Sequence, residues 1–307
     1  MLRYALLRLL GAIPTLLLVI VLAFLMVHAA PGGPFDDERV LPPDVEANIA
    51  QAYELDQPLP RQFLRYVSGL LQGDLGPSYR YRDLTVSDLI GAAFPLSLKL
   101  GAMAMLLAVV VGVGAGTLAA LRQNTFVDRL LMALAMTGIS IPVFVVAPLL
   151  VLLLAVYLHW LPAGWSGTTG GGRFVLPVIA LALPQIAYIA RLTRASMIEV
   201  LASDFVRTAR AQGLGTGTIV RLHALKPAML PVLSYMGPAV AAILTGSVVV
   251  EEIFGIPGLG QHFVRGALNR DYTLVLGIVV FYATLVILLN LIVDLLYGVI
   301  DPRIRQR

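Results

Sequence analysis

Four histidines, at positions 28, 159, 223 and 262, are the side chains best suited to proton transfer or metal ligation. No two of them have the spacing of a helical metal pair, and no His-Glu-x-x-His run occurs, so a membrane zinc hydrolase is unsupported. There is no cysteine, which removes disulfides, thiolate metal sites and thiol nucleophiles. Nucleotide hydrolysis needs a lysine after a glycine-rich turn. The chain has two lysines, Lys99 and Lys226, and neither follows one; Gly213-Leu214-Gly215-Thr216-Gly217 lacks both the lysine and a preceding strand. No catalytic residue and no metal site is expected, and any ATP-driven work must come from another chain.

The remaining polar residues suit a path rather than a reaction. Ser140, Gln185, Thr245 and Ser247 are uncharged groups inside apolar runs, where they can line a pore or pack between helices. Asp294 is the one carboxylate within an apolar run, with Asn290 one helical turn before it; a polar clamp to a neighbouring helix is expected over a proton site. Glu251, Glu252 and Phe254 precede the turn-rich Gly255-Ile256-Pro257-Gly258 and could gate an outer mouth, or simply solvate a helix end. Gly112, Gly114 and Gly116 read as small-residue packing positions.

The elements that must carry these residues are membrane helices. Of 307 residues, 58% are hydrophobic and 13% charged, against roughly 25% charged in soluble domains. The apolar residues come in blocks, and a span needs about 20 of them. Six spans are expected, at about 9–30, 95–121, 130–158, 174–193, 228–250 and 274–297. Prolines 14, 142, 148, 177, 184 and 238 fall inside them, which membrane helices tolerate when neighbours satisfy the freed carbonyls. The first block is longer than a signal-peptide core of about 7–15 residues, so it is expected to be retained. Arranged with the N-terminus inside, 13 of the 22 Lys and Arg residues lie on the cytoplasmic side. The excess of basic residues in inside loops predicts both termini cytoplasmic.

Two segments between spans are informative. Residues 31–94 form a long outside segment that opens with Pro31-Gly32-Gly33-Pro34. Three apolar stripes, the first through Val45, Ile49, Ala52 and Tyr53, the second through Phe63, Tyr66, Val67, Leu70 and Leu71, the third at about Thr85–Phe94, predict a small cap of short helices. The inside loop 194–227 predicts a helix over Phe205–Gln212, N-capped by Ser203 or Asp204 and broken by Gly213 and Gly215. A second helix starts at Thr216 or Thr218 and is interrupted by Pro227. A short, basic, exposed helix between two spans can dock a partner or lie on anionic lipid.

The run Asp204-Phe205-Val206-Arg207-Thr208-Ala209-Arg210-Ala211-Gln212-Gly213-Leu214, followed by His223-Ala224-Leu225-Lys226-Pro227-Ala228, resembles the coupling loop of the permease subunits of bacterial ABC importers for peptides. Arg207, Thr208 and Ala209 stand at the loop's Glu-Ala-Ala positions and Gly213 at its glycine; Arg207 in place of glutamate is usual in the peptide branch, and the terminal Leu-Pro is displaced to Lys226-Pro227. Leu9–Thr15, Asp56–Leu59, Gly73–Gly76, Glu252–Phe254 with Pro257–Gly260, Asn269–Tyr272 and Asp301–Ile304 extend the resemblance over nearly the whole chain, closest to the B-type permease subunits of the oligopeptide branch.

The resemblance implies an all-α membrane protein of the bacterial inner membrane. Residues 1–30 would be the first span, 31–94 the extracytoplasmic cap, 95–300 the importer core and 301–307 a cytoplasmic tail. Its implied partners are a second homologous permease, two ATPase subunits carrying ATP and Mg, an extracytoplasmic peptide-binding protein and membrane lipid, with no nucleic acid. It also implies that Asp204, Phe205, Arg207, Thr208, Ala209, Arg210 and Gly213 form the ATPase-coupling loop. A permease for dipeptides or nickel, or an ion-coupled transporter working alone, are the alternatives; the last is disfavoured by the absence of a mid-membrane carboxylate chain.

Overall fold

The computed structural model describes residues 2–29, 56–81, 83–165 and 170–300. The first stripe of the expected cap, at 45–53, and the tail 301–307 lie outside the described residues. Among those described there is no strand, only an isolated antiparallel bridge between Pro77 and Thr85. The helices are α1 (Leu2–Ala29), α2 (Leu59–Leu71), α3 (Val86–Leu121), α4 (Phe126–Ser140), α5 (Val143–Leu150), α6 (Val175–Leu201), α7 (Asp204–Ala211), α8 (Leu230–Phe254), α9 (Leu259–Leu268) and α10 (Tyr272–Ile300). Five of the described helical stretches are long and apolar enough to cross a membrane, within α1, α3, α6 (with the turn before it), α8 and α10.

The third expected span, 130–158, is not one helix. Phe126–Ser140 and Val143–Tyr157 pass the same test only as a pair bent by 107°. The residue before a proline is pushed out of the helical region by the ring. Ile141 accordingly sits at φ −95°, ψ 120°, and the hydrogen-bond ladder restarts after Pro142. Pro148 then withdraws another donor, and Val151–Tyr157 continues as a wider π-helical turn.

The third stripe, Thr85–Phe94, also differs from the expected short helix. It is not a separate short helix but the opening of α3, which runs unbroken through Pro95. The reason is local. Thr85 and Asp88 form a capping box, in which the Asp88 carboxylate accepts from the Thr85 N–H (3.0 Å) and hydroxyl (2.6 Å) and the Thr85 Oγ1 accepts from the Asp88 N–H (3.2 Å). The fourth and fifth spans likewise outrun their apolar blocks, to Leu201 and Phe254. Glu251, Glu252 and Phe254 therefore belong to the last turn of α8 rather than following it. Gly255, at φ +64°, closes that helix.

The chain divides into two compact units, residues 1–5 with 97–256 and 288–307, and residues 6–96 with 257–287. In the first, α6 is the central helix, buried along Leu176, Ala180, Ile189, Ala190 and Met197, with α4 and α8 against it. In the second, Val86, Leu89, Ile90 and Ala93 of α3 pack with Leu259, Leu274 and Ile278. There the buried Asp271 carboxylate caps α10 by accepting from the Leu274 N–H (3.2 Å). It also pins the 77–79 segment through the Ser78 hydroxyl and the Tyr79 N–H (3.2 Å).

Close approach of α3 to α6 rests on two glycines, not three. A Cβ on Gly112 would lie 2.8 Å from the Ile189 Cβ. One on Gly116 would collide with the Ala190 carbonyl oxygen and lie 2.7 Å from the Thr193 Cβ, whereas one on Gly114 would meet none of the described residues within 4 Å. Gly116→Ala is therefore expected to destabilise the detergent-purified chain by about 1–3 kcal/mol, the usual cost of overpacking. Gly114→Ala should leave thermal unfolding unchanged, and equal effects at the two positions would contradict this packing.

Candidate functional site

The segment after α6 builds a small platform from local signals. Ser203 has the extended backbone of an N-cap (φ −70°, ψ 156°), but its hydroxyl turns back to the Val200 carbonyl. Asp204 supplies the negative charge that a helix N-terminus favours. Val206 and Ala209, three residues apart, form the buried side of α7 and pack on Ile219, with Val200 and Leu201 against them. Asp204, Phe205, Arg207, Thr208 and Arg210 are exposed. Phe205 keeps 49% of its surface accessible, an unusual position for an aromatic ring on so polar a helix. Arg207 reaches Asp204 at 3.3 Å, a solvated pair of little energetic weight.

The stop is equally local. Gly213 takes φ +84°, a conformation open to glycine at little cost. Its N–H donates to the Arg210 carbonyl (3.0 Å) and the Leu214 N–H to the Ala209 carbonyl (3.2 Å), which together form a Schellman closure. Helical turns then run through 216–228, with a π-helical stretch at Ile219–Ala224. Pro227 lies inside the last of these turns, and the break expected there falls two residues later, at Met229. Val220, Ala224 and Ala228 pack with Met197 of α6 and Ala120 of α3. The platform is thus fastened to two spans, and within the expected loop motif Ala209 anchors while its neighbours present.

Near the same end of α6, Arg194 grips Asp128 in the first turn of α4 through two bonds, Nε to Oδ1 at 2.6 Å and an Nη to Oδ2 at 2.8 Å. Asp128 is 3% exposed and also accepts from the Asn124 N–H (2.9 Å). This clamp was not legible in the sequence. Both residues read there as ordinary inside-loop charges, and the only hint was opposite charge at the ends of two apolar blocks.

The candidate pore residues separate into two kinds. Gln185 is buried and accepts from the Tyr235 hydroxyl (2.9 Å), and Ser247 is buried and donates to the Leu244 carbonyl (2.8 Å). Ser140 and Thr245 are exposed on this chain, their hydroxyls returned to the Met136 and Ala241 carbonyls. Glu251 and Phe254 are buried and Glu252 is exposed. Asn290 faces Gly237 of α8 closely enough to occupy a Cβ position there; the Asp294 side chain lies outside the described residues. His262 packs edge-on to Tyr81 (5.8 Å), and burial, then Arg265, holds its imidazole below the usual histidine range.

Apolar helices of spanning length, with an exposed helical platform between two of them, define a multi-pass membrane protein. The chain belongs to the family of binding-protein-dependent transport system inner membrane components: that family's profile matches residues 112–306, and the profile of its N-terminal part matches residues 1–101. It is a multi-pass bacterial inner-membrane permease of the ABC importer class. Among its relatives is the oligopeptide transport system permease protein OppB of Escherichia coli K12, 57% identical over 307 residues, covering 99% of this chain and all of that one. The dipeptide transport system permease protein DppB of Bacillus subtilis is 43% identical over 306 residues, covering 99% and 98%. Of solved structures, the inward-facing MetNI methionine ABC transporter aligns with a TM-score of 0.56 at 18% identity, over 69% of this chain and 96% of that one, a likeness of fold.

Proposed function

We propose that this chain forms half of the translocation path of an ATP-driven importer of oligopeptides. A second, homologous permease would complete the path, two separate subunits would hydrolyse ATP, and an extracytoplasmic binding protein would deliver the peptide. The observation that carries the reading is α7, an eight-residue helix fixed to the membrane helices on one side and bare on the other. A rigid platform of this kind transmits motion of an attached engine as rigid-body displacement of the spans. Phe205, Arg207 and Arg210 are its contact residues, with Phe205 suited to a pocket and the arginines to acidic groups. The basic excess of the inside loops supports a cytoplasmic side for α7 and both termini. The oligopeptide assignment is supported by the 57% identity to OppB against 43% to DppB.

In this reading the path itself carries little fixed charge, as passage of varied side chains requires. Ser140 and Thr245, exposed on this chain, are its candidate lining, and Gln185 and Ser247 serve helix packing behind them. Glu252 is the member of the α8 terminal trio available to an outer gate, with Glu251 and Phe254 as its buried footing. The test is affinity purification of the tagged chain in mild detergent followed by mass spectrometry. The expected result is co-recovery of a second permease and two P-loop ATPases; recovery of this chain alone, folded and abundant, would overturn the reading.

A further inference from the structure

A cavity of about 490 Å³ opens within the unit formed by residues 6–96 and 257–287. Its depth relative to a membrane follows from its walls. Phe24 and His28 come from the last turns of one apolar span, and Tyr272, Thr273 and Leu276 from the first turns of another. The cavity therefore sits where two spans leave the apolar layer, at the level of lipid headgroups. Its third wall is α2, which brings Arg61, Arg65 and Tyr66. The same helix leaves Leu64 and Leu71 exposed at 66% and 85%. They are seven residues apart and so on one side, the pattern of a helix lying in the interface with leucines toward acyl chains.

Arg61, Arg65 and Tyr66 bring donors to this cavity; the Asp74 carboxylate, which accepts from the Gly76 N–H (2.8 Å), also lines it. The Tyr66 hydroxyl is buried and has no hydrogen-bond partner among the described residues, a condition that native structures rarely leave unmet. Burial pushes its ionisation well up, so it remains a donor. The Nδ1 of His28 lies 2.8 Å from the Phe24 carbonyl oxygen and must carry the proton there, which leaves Nε2 as the ring's outer nitrogen. Among the described residues Arg61 makes one long side-chain bond, to Gln57 Oε1 at 3.3 Å. Guanidinium and phenol donors beside Phe24 and Leu276 match a phosphate joined to an apolar tail.

We propose that this cavity binds the phosphate headgroup of an anionic phospholipid, with Arg61 and the Tyr66 hydroxyl donating to its oxygens and Phe24 and Leu276 against its glycerol and acyl end. A free phosphate shares the anion chemistry but has nothing for the apolar end.

The experiment uses the full chain, purified in mild detergent with the subunits that accompany it. Thermal unfolding and native mass spectrometry are followed during titration with dioctanoyl phosphatidylglycerol or with inorganic phosphate. A one-to-one lipid adduct and a rise in Tm are expected with the lipid and not with phosphate. Arg61→Gln and Tyr66→Phe should each weaken the lipid response about tenfold. Without lipid, Tyr66→Phe should unfold at the same temperature as the parent or higher, because it deletes an unsatisfied buried hydroxyl. This separates loss of a ligand from loss of structure. An unaltered lipid response in both variants, or inorganic phosphate stabilising as strongly as the lipid, would overturn the proposal.

Discussion

Exchanging both Arg207 and Arg210 for glutamate is expected to abolish peptide uptake while leaving the chain in the membrane at its normal level. Neither side chain supports the fold: both are exposed, and the one ion pair between α7 side chains, Arg207 with Asp204, is solvated. The buried side of the helix, Val206 and Ala209, is untouched. What changes is the sign of the presented face, and like charges brought together at a docking surface cost several kcal/mol. A loss of about 3 kcal/mol in docking lowers occupancy roughly 100-fold. Gly213→Pro should give the same phenotype by another route, since proline fixes φ near −65° and has no N–H. Gly213 needs φ +84° and donates to the Arg210 carbonyl. Gly213→Ala should be milder, with about 1–2 kcal/mol of strain. The measurements are uptake of a labelled peptide in cells lacking the parent gene and recovery of ATPase subunits with the tagged variant. Normal uptake by the double-arginine variant would remove α7 from the coupling role.

The second large effect concerns stability. Arg194→Ala should destabilise the chain more than Asp128→Ala, although both break the same pair. The asymmetry comes from what each variant leaves behind. Asp128 has 4% of its side chain exposed and Arg194 27%. Loss of the arginine strands a carboxylate out of water, whereas loss of the carboxylate strands a guanidinium that still touches solvent. Breaking a buried pair costs about 3–5 kcal/mol, so Arg194→Ala should approach the lower end of that range and Asp128→Ala fall below it. Asp128→Ala combined with Arg194→Met should be less destabilised than Arg194→Ala alone, because no charge remains unpaired. Thermal unfolding in detergent ranks the three, and a double variant worse than either single would show that the residues act through other contacts.

Signals confined to a few neighbouring residues were legible in the sequence. Apolar blocks of spanning length marked five membrane helices, because backbone groups in lipid must bond within their own segment and leave the chain little choice. Ser203, Asp204 and Gly213 marked the limits of α7 to within a residue, because Ser203 takes the extended backbone of an N-cap position, Asp204 carries the charge a helix start favours and Gly213 accepts the left-handed turn. Where local signals competed, they did not by themselves decide the structure. Pro142 sits in an apolar run no different from that around Pro184; the first accompanies a 107° bend and the second lies inside a continuous helix. The capping box at Thr85 and Asp88 is visible in sequence, yet only the uninterrupted helix beyond it shows that it starts a span.

Contacts between distant segments belonged to the tertiary structure alone. Asp128 and Arg194 are 66 residues apart, and either could have faced water. Gly112, Gly114 and Gly116 look alike in sequence, but only the two that are four residues apart share the face that meets α6. Gln185 and Ser140 are both polar residues in apolar surroundings, and burial separates them. The cavity at Tyr66 draws on α1, α2 and α10, whose residues are more than 200 positions apart at the extremes. The sequence by itself determined that this chain lives in a membrane, where its helices run and where it offers a basic platform, since each of these follows from hydrophobicity and backbone chemistry along one stretch. Which polar groups are clamped, buried or left open was decided only when the helices packed, because a side chain's partners are set by the face and depth at which another segment arrives.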